Sequence, residues 1–175
     1  MLEIIIPKQE YFDELHGEFI NVPEQRLTLE HSLVSLSKWE SKWNKPFLGA
    51  DSKTIDESLD YIRCMTVNKN VDQMVYKGIT PELFQKVNDY IGAPMTATWF
   101  AKEPPKNGKT EVVTAEIIYY WMIALNIPFE CEKWHLNRLL TLIKVCNIKN
   151  SPPKKMSRRE IMERNRALNK ARKKR

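Results

Sequence analysis

Chemistry at a protein site needs particular side chains at particular separations, and few sets in this chain qualify. Cys131 and His135 would carry a thiolate and an imidazole onto one face of a helix. A zinc site needs more ligands than that, and His16, His31 and Cys146 supply no matching close-spaced pair, so no metal centre is expected. His135 is expected as a polar member of a helix surface, hydrogen-bonded to a neighbour. Paired carboxylates such as Asp56, Glu57 and Asp60 read as solvated charge on the exposed face of a helix. No Ser or Cys stands in a sharp glycine turn, and five glycines in 175 residues cannot build a phosphate-cradling loop of the usual kind. These residues predict neither a catalytic site nor a cofactor, and the chain reads as a non-enzymatic protein.

What the side chains are suited to is binding. The chain has 28 Lys+Arg against 22 Asp+Glu, yet residues 151–175 alone hold 11 of the bases and only Glu160 and Glu163 as acids. That leaves 17 bases and 20 acids in residues 1–150, so a strongly basic appendage follows a mildly acidic body. Arg158, Arg159, Arg164, Arg166, Lys170 and Arg172 are the candidate contact residues of the appendage, arginine being suited to bidentate contacts with carboxylate or phosphate. No aromatic residue is interleaved with them, which favours a protein partner over nucleic acid and keeps nucleic acid as the alternative. Of the five tryptophans, Trp39, Trp43, Trp121 and Trp134 are expected as core and interface anchors. Trp99 and Phe100 lie in the irregular stretch PMTATWF and are the aromatic pair most suited to an external contact.

The elements that must position these residues are mainly helical. Leu2–Ile6 is β-branched and predicts a short strand closed by Pro7, with Arg26–Leu29 as a partner strand and loop between them as far as Pro23. Leu29, Leu33, Leu36, Trp39 and Trp43 then recur at helical spacing, predicting a helix that ends before Pro46. Thr54 and Glu57 form a capping box for a second helix over 54–66, with Ile55, Leu59, Ile62 and Met65 on its apolar face. Thr80-Pro81-Glu82 opens a third that stops at Gly92. Helices over 114–125, capped by Thr114, and over 131–147 follow, separated from the third by the polar loop KEPPKNGK. Ser151-Pro152-Pro153 is a stiff linker, and Ser157 with Glu160 makes a capping box for a basic helix beyond it. The expected organisation is a helical body over 1–150, with a short N-terminal strand or hairpin, and a Pro-linked basic helix over 151–175.

Cys64, Cys131 and Cys146 are an odd number of widely spaced cysteines in apolar segments and read as reduced core thiols. The apolar run at the N-terminus is too short for a signal peptide, and no stretch reaches the roughly 18–20 apolar residues of a membrane span. The expected location is cytoplasmic, with no membrane partner.

The runs HSLVSLSKWESKWNKPFL (31–48), SLDYIRCMT (58–66), PMTATWF (94–100), IPFECEKWHLNRLLTLIKVCNIKN (127–150) and PPKKMSRREIMERNRALN (152–169) together resemble tailed-bacteriophage tail morphogenesis proteins, in particular tail assembly chaperones. The resemblance implies a small, mostly helical, non-enzymatic protein of the host cytoplasm that binds the tape measure protein and tail tube subunits during assembly. It carries no catalytic motif and transfers no site residue. A permanent structural or connector protein of the virion is the first alternative and a nucleic-acid-binding protein the second, and self-association stays open.

Overall fold

Alternation along Leu2–Ile6 places Ile4 and Ile6 in the core and Ile5 in solvent, the pattern of a strand with one wet face. This strand, β1, pairs antiparallel with β4 (Gln25–Leu29) from Leu2↔Leu29 to Ile6↔Gln25. The computed structural model describes residues 1–13, 17–49, 51–100, 112–152, 159, 162–166 and 169. Between β1 and β4 the expected loop is instead a second antiparallel pair, β2 (Gln9–Asp13) with β3 (Glu18–Val22). Its alternation is hidden in the sequence because two large apolar residues, Phe12 and Phe19, sit on the solvent side, with ring centroids 5.0 Å apart. Gly17, at φ +68°, supplies the left-handed backbone just before β3.

The fold is otherwise mainly α. Helix α1 (Leu33–Trp43) is capped by Ser32, whose hydroxyl accepts from the Ser35 N–H while Ser35 Oγ accepts from the Ser32 N–H. It stops at Asn44 in the left-handed conformation, before Pro46 as expected. Helix α2 (Ile55–Met65) carries the expected Thr54/Glu57 capping box, and α3 (Pro81–Gly92) the expected Thr80 cap with proline in its first turn. A 3-10 turn at Gln73–Gly78, unforeseen in the sequence, packs against the sheets. Gly78 is required there, since a Cβ would come within 2.9 Å of Ile6 Cγ2 and 2.8 Å of Val22 Cγ1.

Helix α4 (Ala115–Ala124) follows Thr114, but the Thr114 side chain makes no capping bond. The helix expected over 131–147 is divided: a 3-10 turn spans Phe129–Lys133, and α5 runs from Leu136 to Asn150. The break arises because backbone groups bond sideways here. Leu136 N–H donates to the His31 carbonyl at 2.7 Å, and Ser32 bridges His135. His135 is therefore the N-cap of α5, accepting from the Asn137 N–H, and does not share a helical face with Cys131.

Two apolar clusters make up the interior. One joins Ile4, Ile6, Leu27 and Leu29 of the sheet to Trp39, Ile62, Met65, Val75 and Val87. The other joins Leu33 and Leu36 to Ile118, Met122, Leu136, Leu139 and Ile143. Helix α1 feeds both, and Phe47 packs against both, its ring stacked 3.8 Å from Tyr61. Among the described residues, no helix is long and apolar enough to cross a membrane. Residues 159, 162–166 and 169 are helical and exposed, while Ser157, Arg158, Glu160, Lys170 and Arg172 lie outside the described residues.

Candidate protein-binding surfaces

Of the residues singled out in the sequence, Trp99 is 79% exposed and free of the core, as an external anchor must be. Phe100 is half-buried, with Lys144 Nζ 4.3 Å from its ring centroid, so the two aromatics have different surroundings. Arg159, Arg164 and Arg166 are exposed, Arg159 reaching Glu163 at 3.1 Å. Trp39 is buried, and Trp43, Trp121 and Trp134 are half-buried against the two clusters.

The carboxylates of α2 correct the reading of solvated charge. Asp56 is exposed, but Glu57 and Asp60 are buried, because α1 and the segment just after it supply their partners. Asp60 takes Lys42 Nζ at 2.6 Å and the Trp43 indole N–H at 2.9 Å. Glu57 takes Lys45 Nζ at 2.5 Å and the Thr54 N–H at 2.9 Å. The Lys45 hydrogen bond, then the Thr54 backbone bond, hold the Glu57 carboxyl below its ordinary pKa. The apolar face expected for α2 keeps Ile62 and Met65 but not Ile55, which is 78% exposed.

A further buried carboxylate does the work assigned to Thr114. Glu40 Oε2 accepts from the Ala115 N–H, at the start of α4, and Oε1 from the Phe47 N–H, both at 2.7 Å. A negative group at a helix N-terminus satisfies an orphan donor and complements the helix dipole.

His31 and His135 meet edge to face, 5.0 Å apart, at the seam between the clusters. His31 Nδ1 lies 2.6 Å from Tyr61 Oη, and His135 Nε2 donates to the Tyr90 carbonyl at 3.0 Å. Burial, then the neighbouring His135, lowers the His31 pKa to about 3, and burial also lowers that of His135. Both rings are thus neutral at pH 7, and His135 is an interior group where a helix-surface residue was expected. Among the described residues no group of three or more His, Cys, Asp or Glu is placed to hold a metal ion. Cys131 is buried and Cys64 and Cys146 half-buried, all as free thiols, and burial pushes the Cys64 and Cys131 thiols up.

Two surfaces that the sequence pattern does not single out have the character of docking sites. The first is a groove of about 490 Å³ between the end of β4, α1 and the segment after α2. Val34 and Val67 line it with apolar surface above the buried Met65, and Lys38 and Lys133 are among its lining residues. Among the described residues its one carboxylate is Glu30, already engaged by Tyr90 Oη at 2.7 Å and the Met1 amino group at 3.2 Å. The second is the outer face of α4, where Tyr120 and Ile123 are exposed. Its signal in the sequence is the uninterrupted apolar run Ile117–Ala124, too apolar all round for a helix with one wet face.

Comparison with protein-family models, with curated proteins and with solved structures finds no match.

Proposed function

We propose that this protein is a non-catalytic assembly factor of the tail-assembly-chaperone kind, which holds an apolar, acid-bearing segment of a phage structural protein. The observation that carries the reading is the groove, with Val34 and Val67 on its walls above the buried Met65 and Lys38 and Lys133 among its lining residues. Apolar surface supplies affinity and the two lysines select an acidic partner over a basic one. The likeness of the sequence runs to tail morphogenesis proteins supplies the partner class, the tape measure or tail tube protein. The basic segment after Pro152, and Trp99 ahead of the polar stretch KEPPKNGK, which lies outside the described residues, are then secondary contacts for recruitment. Assembly of this kind takes place in the host cytoplasm.

The experiment is co-purification of the protein with tape measure and tail tube proteins from infected cells, alongside mass spectrometry of finished particles. Capture of either protein, with the chaperone absent from particles, is the expected result. A stoichiometric presence in particles makes the protein a permanent virion component and sinks the chaperone reading. Val67→Asp in the groove is expected to weaken capture by about tenfold or more, the effect of one lost anchor. Undiminished capture by that variant would move the site elsewhere.

A further inference from the structure

Helix α4 has the sequence AEIIYYWMIA, apolar around almost its whole circumference. Ala115, Ile118 and Met122 are buried in the second cluster, while Tyr120 is 65% and Ile123 61% exposed on the other side. Phe129, 55% exposed, extends that side: its ring lies 6.4 Å from Tyr119 on α4. A helix that is apolar all round is ordinarily enclosed by protein, and a continuous exposed apolar patch with a polar rim marks an interaction surface. The rim here is acidic. Glu116 and Glu130 are exposed, and Glu132 accepts from Tyr119 Oη at 2.8 Å. Lys133, the base next to these acids in sequence, lines the separate groove beside Lys38.

The same chain carries the complement. Residues 151–175 hold 11 bases and two acids, with Ile161, Met162, Leu168 and Ala171 as their apolar positions. Met162 is 56% exposed on a helical stretch with Arg159, Arg164 and Arg166. A single chain thus combines an apolar face rimmed by acids with a basic segment that carries apolar residues, and Met162 of that segment stands open to solvent.

We propose that the α4 face of one copy receives the basic C-terminal segment of a second copy. Apolar residues of that segment, Met162 among them, cover Tyr120, Ile123 and Phe129, and arginines meet Glu116 and Glu130. Because donor and acceptor surfaces differ, the contact is heterologous, and every copy can give and receive at once. Such copies add head to tail, and the groove remains open on each.

The test is the mass of the full-length protein by sedimentation velocity over a range of concentrations, at low and high salt. The wild-type mass is expected to rise with concentration and to fall back as salt screens the rim charges. Ile123→Asp, which removes the receiving face, and the double change Arg159→Glu with Arg166→Glu, which removes the donor, are each expected to be monomeric. An equimolar mixture of the two variants restores one good contact per pair and is expected to give a discrete heterodimer that does not grow. Glu130→Lys, outside both clusters, repeats the loss of self-association without touching the core and controls for misfolding of the α4 variant. A wild type that stays monomeric, variants that still associate, or a mixture that remains monomeric would overturn the proposal. Val67→Asp is expected to self-associate normally, which separates this contact from capture in the groove.

Discussion

Glu40 shows how much one side chain can be asked to do. Its two oxygens satisfy the N–H groups of Phe47 and Ala115, which no other described group serves. Glu40→Ala strands both donors and is expected to cost about 2–4 kcal/mol by urea denaturation. Glu40→Gln keeps one acceptor oxygen and is expected to fall between. The pH dependence follows from His31 and Glu57. His31 has a folded pKa of about 3 against an ordinary 6.5, so the unfolded chain binds a proton that the folded one refuses. Stability from this group is complete above about pH 6.5 and is lost as pH falls toward 3. Glu57, also lowered, acts in the same direction from its ordinary 4.5 downward. Melting temperature is expected to decline steadily from pH 7 to pH 4, and an NMR titration is expected to find the His31 ring still neutral at pH 5. None of this could be read from the sequence. The caps at Thr54 and Thr80 are local and were legible, but the burial of Glu57 and Asp60 depends on lysines more than ten residues away.

Among the elements, two glycines that look alike in sequence are expected to behave oppositely. Gly78→Ala forces a methyl against Ile6 and Val22, two branched side chains of the core, and is expected to destabilise by about 1–3 kcal/mol. Gly92 closes α3, and a Cβ there would meet nothing within 4 Å, so Gly92→Ala is expected to stabilise by about 0.5–1 kcal/mol. Thermal denaturation of the two variants beside the wild type checks both signs. Helices α1, α2 and α3 were legible because their apolar spacing and caps lie within the element. The β2–β3 pair was not, since its Phe12 and Phe19 face water, nor was the start of α5, where His31 takes a hydrogen bond from a residue over a hundred positions later. The groove escaped for a related reason. Val34, Lys38, Val67 and Lys133 become one groove only after α1, α2 and the Phe129–Lys133 turn have packed.

At the scale of the molecule, the two clusters are joined by α1 and Phe47, which serve both, and by the His31–His135 contact, which ties Tyr61 and Tyr90 of the first to Leu136 of the second through the His31 carbonyl. Hydrogen exchange is expected to give the same opening free energy for amides of β4 and of α4 in the wild type. In His135→Ala, which removes the bond to the Tyr90 carbonyl and the α5 cap, the α4 amides are expected to open at lower free energy than those of β4. Equal opening in both clusters of the variant would show that the histidine seam does not couple them.

The carboxylate that begins α4 also sets an order in time. Glu40 precedes the Ala115 N–H it accepts from by 75 residues, so at about 5–20 residues per second the ribosome delivers the second roughly 4–15 s after the first. During that interval the sheets and α1–α3 can already consolidate, while Leu33 and Leu36 await the helices that will enclose them. The nascent chain thus carries half a finished interior and half an open one until α4 and α5 emerge, and it is in those seconds that it most needs shelter from its neighbours.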